Sequence, residues 1–394
     1  MADLFYNPRI IYLVSGSGAT PVEQMNDCLR QLAGELEQKR IERDRVIKQT
    51  VFFEAGTAHE YSLKRGIIER ALKDFYNSRI PSTSFISQVP EGGGKLSLEA
   101  YVIKRVSKDI EIEHKPVDDK YYSVITTPLY KEVYAGGLNG GPEGDIYSQA
   151  LYSFEQAKKI LEMEGLSFAD IVRQWNYIEN ITKVTGDDTI KQNYQVFNDV
   201  RSQYYGVARF DNGYPSATGI GTSSGGVTLG FIAVSPGSIS VHPLRNPGQT
   251  DAHRYSGKVL VGEGLSKETG KTTPKFERGK LLKANGGGRI YVSGTAAVVG
   301  EDSSHTGDVE KQTVITIDNI YKLLSPGNLS QYGITTDIRR KRFSYVRTYV
   351  KYPQDIDRVR KICEKHLDSE HYQYLISDIC RDNLLVEIEG SVDI

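Results

Sequence analysis

Cysteine is scarce in this chain of 394 residues, which contains only Cys28, Cys363 and Cys380. Their number is odd, no Cys-x-x-Cys pair occurs, and the seven histidines show no spacing typical of metal ligands. We therefore expect neither a disulfide framework nor a metal site.

An excess of charge of one sign is also missing, because 49 Lys and Arg residues face 50 Asp and Glu residues, a net charge of -1. Nucleic-acid binding normally brings a basic excess, and a disordered acidic tail would bring the opposite. The apolar run at residues 10–14 is too short for a signal peptide or a membrane span. We expect a cytoplasmic protein with no nucleic-acid or membrane partner.

A nucleotide-binding motif is absent as well. The string GLSKETGKT at 264–272 resembles a phosphate-binding loop, but it has five residues between its glycines where the motif has four. Pro274 opposes the helix that would have to follow. We interpret the string as a surface loop and expect no cofactor.

Tyrosine, in contrast, is abundant, with 25 copies against 12 Phe and one Trp. Tyr is favoured in β-strands, and it also lines polar clefts because its ring is apolar and its hydroxyl polar. Both readings stay open, although strands account for most of the enrichment.

The dominant pattern is a repeat that occurs three times along the chain. Predicted opening strands lie at 12–17, 133–138 and 290–295, and each has a Gly-bearing turn. Apolar residues spaced three and four apart predict first helices at 23–40, 148–164 and 309–324. Runs of β-branched and aromatic residues then predict strands at 46–53, 172–178 and 342–350.

The second half of each copy follows the same order. Second helices are predicted at 59–76, 193–205 and 354–366. Each copy is predicted to close with a β-hairpin, its strands starting at 80 and 96, at 214 and 227, and at 372 and 385. Glycines at 92–94 and 225–226 suit the turns of the first two. Extended pieces at 121–129 and 276–282 precede the second and third copies, and the Gly-, Pro- and Ser-rich stretch 235–288 reads as a connector.

Each copy therefore reads as an α+β unit, a sheet with two helices on one face. Three such units can cover one another's bare faces around a pseudo-threefold axis. We expect an intramolecular pseudo-trimer that is a monomer in solution. The expected division is a first unit at 1–118, a second at 119–234, a connector at 235–273 and a third at 274–394. The clefts between units need not be equivalent.

Several strings resemble the RidA/YjgF superfamily of small trimeric proteins, which have a chorismate-mutase-like fold. The C-terminal LVEIEG at 385–390 resembles the terminal strand of that superfamily. GDVEKQ at 307–312 with IDNI at 317–320 resembles its first helix, and YPSAT at 214–218 resembles the start of its closing hairpin.

The length and further strings are similar to one branch, the chorismatases. These strings are PKFERG at 274–279, SGTA at 293–296, VGEDSSHTGD at 299–308, YPSATGIG at 214–221 and DICRDNLLVE at 378–387. The last string is the most specific. The resemblance covers about residues 120 to 390, while the first 110 residues match by the repeat pattern alone.

Glu387 is the leading candidate for chemistry. In an alternating strand Glu387 and Glu389 share one face, and apolar neighbours surround them. Desolvation raises a carboxyl pKa and makes a general acid that works near neutral pH. The residues alone also allow a salt-bridged edge strand, but the resemblance implies the general acid. The matching positions of the other units hold Ser97 and Thr228.

The resemblance also implies a substrate site for a compound with two carboxylates, which requires cations or several donors. The arginine candidates are Arg278, Arg201 and Arg347, the last of which either pairs with an internal acid or faces the ligand. The other candidates are Tyr214, Tyr372 and Tyr374 as hydroxyl donors and Ser293 and Gly294 as backbone N–H donors. Cys380 matches a family position where Cys accompanies 3-hydroxybenzoate release and Ala accompanies hydrolysis to a dihydroxycyclohexadiene carboxylate.

The sequence therefore predicts a chorismatase that converts chorismate to pyruvate and a cyclic carboxylate, without metal or cofactor. One alternative is a RidA-like deaminase or hydrolase of another small carboxylate. However, the Arg of its carboxylate clamp is missing from all three hairpin starts, at 82–85, 216–219 and 371–374. A catalytically inactive ligand-binding protein is the other alternative, and RNA cleavage is disfavoured by the neutral charge.

Overall fold

The computed structural model describes residues 8–91, 95–104, 110–185, 191–235, 237–262, 271–284 and 287–394. The glycine turn predicted at 92–94 and most of the loop predicted at 264–272 lie outside the described residues. Three main β-sheets, each with a pair of long helices, form the structure and confirm the predicted α+β class.

The N-terminal part of the chain forms the first sheet and also carries one short strand of the third sheet. Its elements are β1 (Arg9–Val14), α1 (Pro21–Lys39), β2 (Val46–Phe53), α2 (Ala58–Phe75), β3 (Ser82–Ser87), β4 (Val89–Pro90) and β5 (Leu96–Val102). The strand order is β1-β5-β2-β3. Thr20 and Glu23 form a reciprocal capping box that fixes the start of α1.

The second sheet follows. Its elements are β6 (Glu111–Val117), β7 (Lys120–Thr126), β8 (Lys131–Leu138), α3 (Ile146–Met163), β9 (Ile171–Glu179), β10 (Val184–Thr185), β11 (Lys191–Gln192), α4 (Asn193–Tyr205), β12 (Ser216–Thr222) and β13 (Val227–Ser235). The strand order is β12-β9-β13-β8-β7-β6, and β10 and β11 pair with each other. Because β6 pairs with β7, this sheet starts before the predicted boundary at residue 118.

The third sheet completes the chain. Its elements are β14 (Ser240–Leu244), β15 (Gly279–Ala284), β16 (Gly287–Ala296), β17 (Val298–Val299), β18 (Asp302–Ser303), α5 (Val309–Leu323), α6 (Pro326–Leu329), β19 (Phe343–Val350), α7 (Ile356–His366), β20 (Tyr372–Ile376) and β21 (Val386–Asp393). The order is β14-β15-β16-β21-β19-β20-β4, so β14 from the predicted connector and β4 from the first unit are its edges.

The predicted closing hairpins are wrong. In each sheet the strand after the second helix pairs in parallel with the strand before that helix, as β3 does with β2, β12 with β9 and β20 with β19. The physical reason is that a helix between two strands carries the chain back to the same end of the sheet. The last strand of each unit instead enters the middle of its sheet, antiparallel to both neighbours.

Four hydrophobic clusters hold these layers together. Three of them lie between a sheet and its own helices, because each helix buries one apolar face. The fourth lies on the opposite faces and takes residues from all three sheets, among them Phe52, Trp175 and Tyr349. The sheets therefore cover one another's second faces. Within the described ranges, none of the helices combines the length and apolarity needed to cross a bilayer.

A charged network lies inside this shared core. Arg347 on β19 is fully buried and forms ion pairs with Glu99 of the first sheet and Glu389 of the third. Arg173 of the second sheet pairs with the same Glu389 at 2.8 Å. The network thus ties the three sheets together, and Arg347 follows the first of its two predicted alternatives, pairing with internal acids.

We expect Arg347→Ala to lower the free energy of unfolding by about 3–5 kcal/mol, because Glu99 and Glu389 lose a buried counter-charge. Urea denaturation measures this change. The control is Lys73→Ala, which breaks an exposed 2.9 Å pair with Glu69 and should cost less than about 1 kcal/mol. Equal losses in the two variants would contradict a special role for the buried network.

Candidate active site

A cleft opens between the second and third sheets and encloses about 590 Å³ of space, its open mouth included. Its walls come from α4, β16, β21 and the segments before β15 and after β20. The wall residues are Gln192, Tyr194, Gln195, Tyr255, Val259, Leu260, Val261, Pro274, Phe276, Arg278, Gly294, Ala296, Val298, Cys380, Arg381, Leu384 and Glu387. Its lining is of mixed polarity, with apolar side chains and a few polar and charged groups, as in small-molecule sites.

Glu387 lies at the floor of the cleft and is 4% exposed. Its strand β21 pairs with β16 on one side and β19 on the other, which fixes the carboxyl firmly. The pairing with β16 shifts register between Val292 and Thr295, and this irregularity brings Gly294 against the carboxyl. A Cβ atom at Gly294 would collide with Oε1 of Glu387, so a larger residue at this position would push the carboxyl aside.

The surroundings of Glu387 keep its carboxyl neutral. Burial raises the pKa of Glu387 to about 8, and the negative charge of Glu389 adds to this rise against the opposing charges of Arg173 and Arg278. Among the described residues, no group donates a hydrogen bond to this carboxyl. At neutral pH the group therefore carries a proton that it can donate to a bound molecule.

Cys380 lies beside Glu387 on the cleft wall, in a loop. Strand β20 ends at Ile376, and Cys380 belongs to the following loop, which a bridge between Ile379 and Ile220 of β12 holds in place. Burial raises the pKa of the Cys380 thiol to about 12, so it stays neutral. The thiol shapes the cleft and is not an activated nucleophile.

Two guanidinium groups of the described cleft wall lie close to Tyr255. Arg278 donates hydrogen bonds to the Tyr255 hydroxyl at 2.6 Å and to the Thr250 carbonyl at 2.7 Å, and its buried Nε has no partner among the described residues. Arg381 lies 5.2 Å from the centre of the Tyr255 ring and donates to the Glu301 carbonyl at 2.8 Å. This pair creates a cationic wall for an anionic ligand.

Arg201 and Tyr214 lie outside the cleft walls. Arg201 is 1% exposed on α4 and donates a hydrogen bond to Asn198, while its Nε has no partner in the described part of the structure. Its charge acts on Tyr194, which is a wall residue. The Tyr214 ring stacks on the Tyr205 ring, with 6.0 Å between the ring centres, in the hydrophobic cluster between the second sheet and its helices.

Tyr372 and Tyr374 do not reach the cleft, contrary to the prediction. Both lie on the face of β20 that packs against α7, where Tyr374 contacts Glu364 at 3.5 Å and Tyr372 donates to the Leu367 carbonyl. The alternation of β20 directs Gln373, and not the tyrosines, toward Arg347 in the shared core.

Ser293 and Gly294 do not offer free backbone N–H groups, which corrects another prediction. The Ser293 N–H donates to the Arg278 carbonyl at 3.1 Å, and the Gly294 N–H donates to the Thr218 hydroxyl at 3.0 Å. The Ser293 hydroxyl donates to the Glu277 carbonyl at 2.6 Å and accepts from the Ala217 N–H of β12 at 3.0 Å, which joins the third sheet to the second. Their role in this structure is to shape the wall of the cleft.

The structure thus brings together four predicted residues, Glu387, Cys380, Arg278 and Gly294, and adds Arg381, Tyr255, Tyr194 and Gln195. Arg381 stands next to Cys380 in the most specific string, and that adjacency was the available signal. In the part of the chain that the structure describes, no cluster of three or more His, Cys, Asp or Glu side chains could hold a metal ion.

Known proteins resemble this chain in sequence and in fold. A family model described as chorismatase FkbO/Hyg5-like, N-terminal, matches residues 115–233. A curated chorismatase from Streptomyces rapamycinicus is 32% identical over 264 residues, which cover 66% of this chain and 74% of that relative. The chain belongs to the chorismatase family. The predicted resemblance is thereby confirmed.

Further chorismatase-family relatives extend the likeness. A 3-hydroxybenzoate synthase from Streptomyces hygroscopicus is 32% identical over 236 residues, covering 58% of this chain and 65% of that relative, slightly less than two thirds of its length. A crystal structure of chorismatase aligns over 98% of both chains with a TM-score of 0.70 and 22% identity. The shared fold therefore includes the first 110 residues, where the sequence resemblance rested on the repeat pattern.

We expect Glu387→Gln to stabilise the protein increasingly as pH rises from 4.5, the ordinary carboxyl value, to about 8. In this window the wild-type folded state holds a proton that the unfolded chain has released. The free energy of unfolding of the wild type therefore falls by up to about 1.4 kcal/mol per pH unit as pH rises, and that of the variant does not.

Urea denaturation across this pH window measures the difference between the two proteins. The control is Glu310→Gln, which removes a carboxyl from an exposed position on α5, outside the cleft. A constant difference between wild type and Glu387→Gln would show that the carboxyl titrates normally.

Proposed function

We propose that this chorismatase-family protein converts chorismate to pyruvate and a cyclic carboxylate, with Glu387 as the general acid. The observation that carries the proposal is a neutral, buried carboxyl at the floor of a cleft with a cationic wall. Chorismate combines an acid-labile enol ether with two carboxylates. The cleft offers the Glu387 carboxyl to the enol ether and the Arg278 and Arg381 guanidinium groups to the carboxylates.

In the proposed reaction the Glu387 carboxyl donates its proton to the terminal methylene carbon of the enolpyruvyl ether. The C=C electron pair forms the new C–H bond and leaves an oxocarbenium-like carbon next to the ether oxygen. The carboxylate that remains on Glu387 stabilises this positive charge, as an electrostatic partner already in place.

Two routes lead from this intermediate, and both balance. If water adds to the oxocarbenium carbon, the hemiketal collapses to pyruvate and a dihydroxycyclohexadiene carboxylate, with one water consumed. If the bond between the ether oxygen and the ring breaks instead, pyruvate leaves with that oxygen, and the neighbouring ring hydroxyl shifts to the freed carbon. Loss of a ring proton to the Glu387 carboxylate then gives 3-hydroxybenzoate, with no net consumption of water. The neutral Cys380 thiol beside Glu387 and the likeness to a 3-hydroxybenzoate synthase favour the second route.

Arg278 and Arg381 are proposed to bind the substrate carboxylates. Burial strengthens such contacts, and positioning the enol ether over the acid is the main work of the protein. Arg201, buried with an unpartnered Nε, is proposed to act from behind Tyr194 on the ligand. A RidA-like deamination is not supported, because no Arg stands at the three matching strand starts, residues 82–85, 216–219 and 371–374.

We expect the purified protein to release pyruvate from chorismate, together with 3-hydroxybenzoate identified by mass and ultraviolet spectrum. Glu387→Gln should lower kcat by at least about 100-fold, because general acids typically contribute this much. The matched control, Glu310→Gln, should keep the wild-type rate. No pyruvate from the wild type would contradict the proposal and leave a ligand-binding role for the cleft.

We also infer that the three sheets are units of a pseudo-trimer carried on one chain, and that the connector predicted at 235–273 contributes its strand β14 to the third sheet. The shared core, which takes residues from all three sheets, supports this inference. Because the units already cover one another, we expect a monomer by light scattering at micromolar concentration. A trimer would contradict the inference.

A further inference from the structure

Glu389 lies two residues after Glu387 on the same face of β21 and is fully buried. Its two oxygens accept hydrogen bonds from five side chains of the second and third sheets. The donors are Arg173 at 2.8 Å, Trp175 at 2.9 Å, Thr218 at 2.5 Å, Arg347 at 2.9 Å and Tyr349 at 3.5 Å. A carboxyl with this many donors is built to stay ionised.

The pKa of Glu389 therefore moves in the opposite direction from that of Glu387. Burial alone would raise it, but the positive charges of Arg173 and Arg347 and the hydrogen bonds from Thr218 and Trp175 lower it overall. Two neighbouring carboxyl groups thus hold different charges at neutral pH, one neutral at the cleft and one ionised behind it.

Thr218 connects the two groups physically. Its hydroxyl donates to Glu389, while the same oxygen accepts from the Gly294 N–H at 3.0 Å and from Arg173 at 2.7 Å. All the hydrogen-bonding capacity of the hydroxyl is thereby used. Gly294 forms the wall against Oε1 of Glu387. Two hydrogen bonds, from Gly294 to Thr218 and from Thr218 to Glu389, therefore link the Glu389 carboxylate to the backbone that packs against the Glu387 carboxyl.

We propose that Glu389 is a positioning residue for the general acid: through Thr218 it fixes the Gly294 wall against Oε1 of Glu387, and it places a negative charge next to that carboxyl on β21. This inference rests on the proposed function, because it assigns Glu389 a task in the same reaction. Glu389 itself does not line the cleft, so it acts through Glu387 and not on the substrate.

The other groups around Glu387 do not replace Glu389. Arg173 from β9 and Arg278 from the segment before β15 favour the ionised form of Glu387, and Arg381 lies on the cleft wall. Cys380 from the loop after β20 and Tyr194 from α4 also face Glu387, and both are held neutral by burial. Within the described structure, Glu389 is therefore the charge that opposes the nearby cations.

The first test compares the pH dependence of kcat/KM for wild type, Glu389→Gln and Glu99→Gln. Glu99 is a matched control, since it is also buried and paired with Arg347 but belongs to the first sheet. In Glu389→Gln the alkaline limb should move to lower pH by at least about one unit, because an adjacent negative charge is lost. In Glu99→Gln it should stay in place. An unmoved limb in folded, active Glu389→Gln would overturn the proposal.

A second pair of variants covers the case in which Glu389→Gln does not fold. Thr218→Val removes the hydroxyl but keeps the side-chain shape and all the charges, and it should lower kcat by at least about 10-fold with KM little changed. Thr218→Ser keeps the hydroxyl, so its kcat should lie within about threefold of the wild-type value. Full activity in a folded Thr218→Val protein would overturn the link through Gly294.

A third measurement separates this inference from the proposed function, because it needs no substrate. Infrared titration of the protonated carboxyl band, assigned by its loss in Glu387→Gln, gives the ionisation midpoint of Glu387 directly. The midpoint should fall in Glu389→Gln and stay in Glu99→Gln, whether or not the wild type releases pyruvate. An unchanged midpoint in Glu389→Gln overturns the inference, while absent pyruvate overturns the proposed function alone.

Discussion

Glu389 and Arg347 meet where the three sheets converge, and both are completely buried. Charges in such a place are tolerated only when each has partners, and here Glu99 and Arg173 complete the set from the first and second sheets. The network therefore demands that all three sheets stand in one arrangement, because a misplaced sheet would leave a buried charge unpaired. The apolar contacts of the shared core supply stability, and the network supplies this specificity.

The cleft depends on the same arrangement. Strand β21 carries Glu389 toward the network and Glu387 toward the cleft, so one strand position fixes both carboxyl groups. The second sheet contributes Thr218 behind the acid and α4 in front of it, while the loop after β20 adds Cys380 and Arg381. The proposed chemistry is thus located at an interface of two sheets, and the predicted matching positions of the other two units hold Ser97 and Thr228.

The sequence predicted what depends on local periodicity. The helices start and end close to the predicted residues, and the alternation of β21 correctly joined Glu387 and Glu389 on one face. Strand partners were mispredicted because pairing is not local. The prediction that Tyr372 and Tyr374 line the cleft was wrong because β20 is covered on both faces, so alternation alone does not tell which face meets a ligand.

The sequence analysis did not predict the cationic wall, because Tyr255 and Arg381 are far apart in the chain and meet only after folding.

The most direct test of the whole account is a crystal structure of the Glu387→Gln variant with chorismate bound. The account predicts the enolpyruvyl methylene carbon against residue 387 and the substrate carboxylates on Arg278 and Arg381. Chorismate bound in another cleft, or with its ether turned away from residue 387, would contradict it.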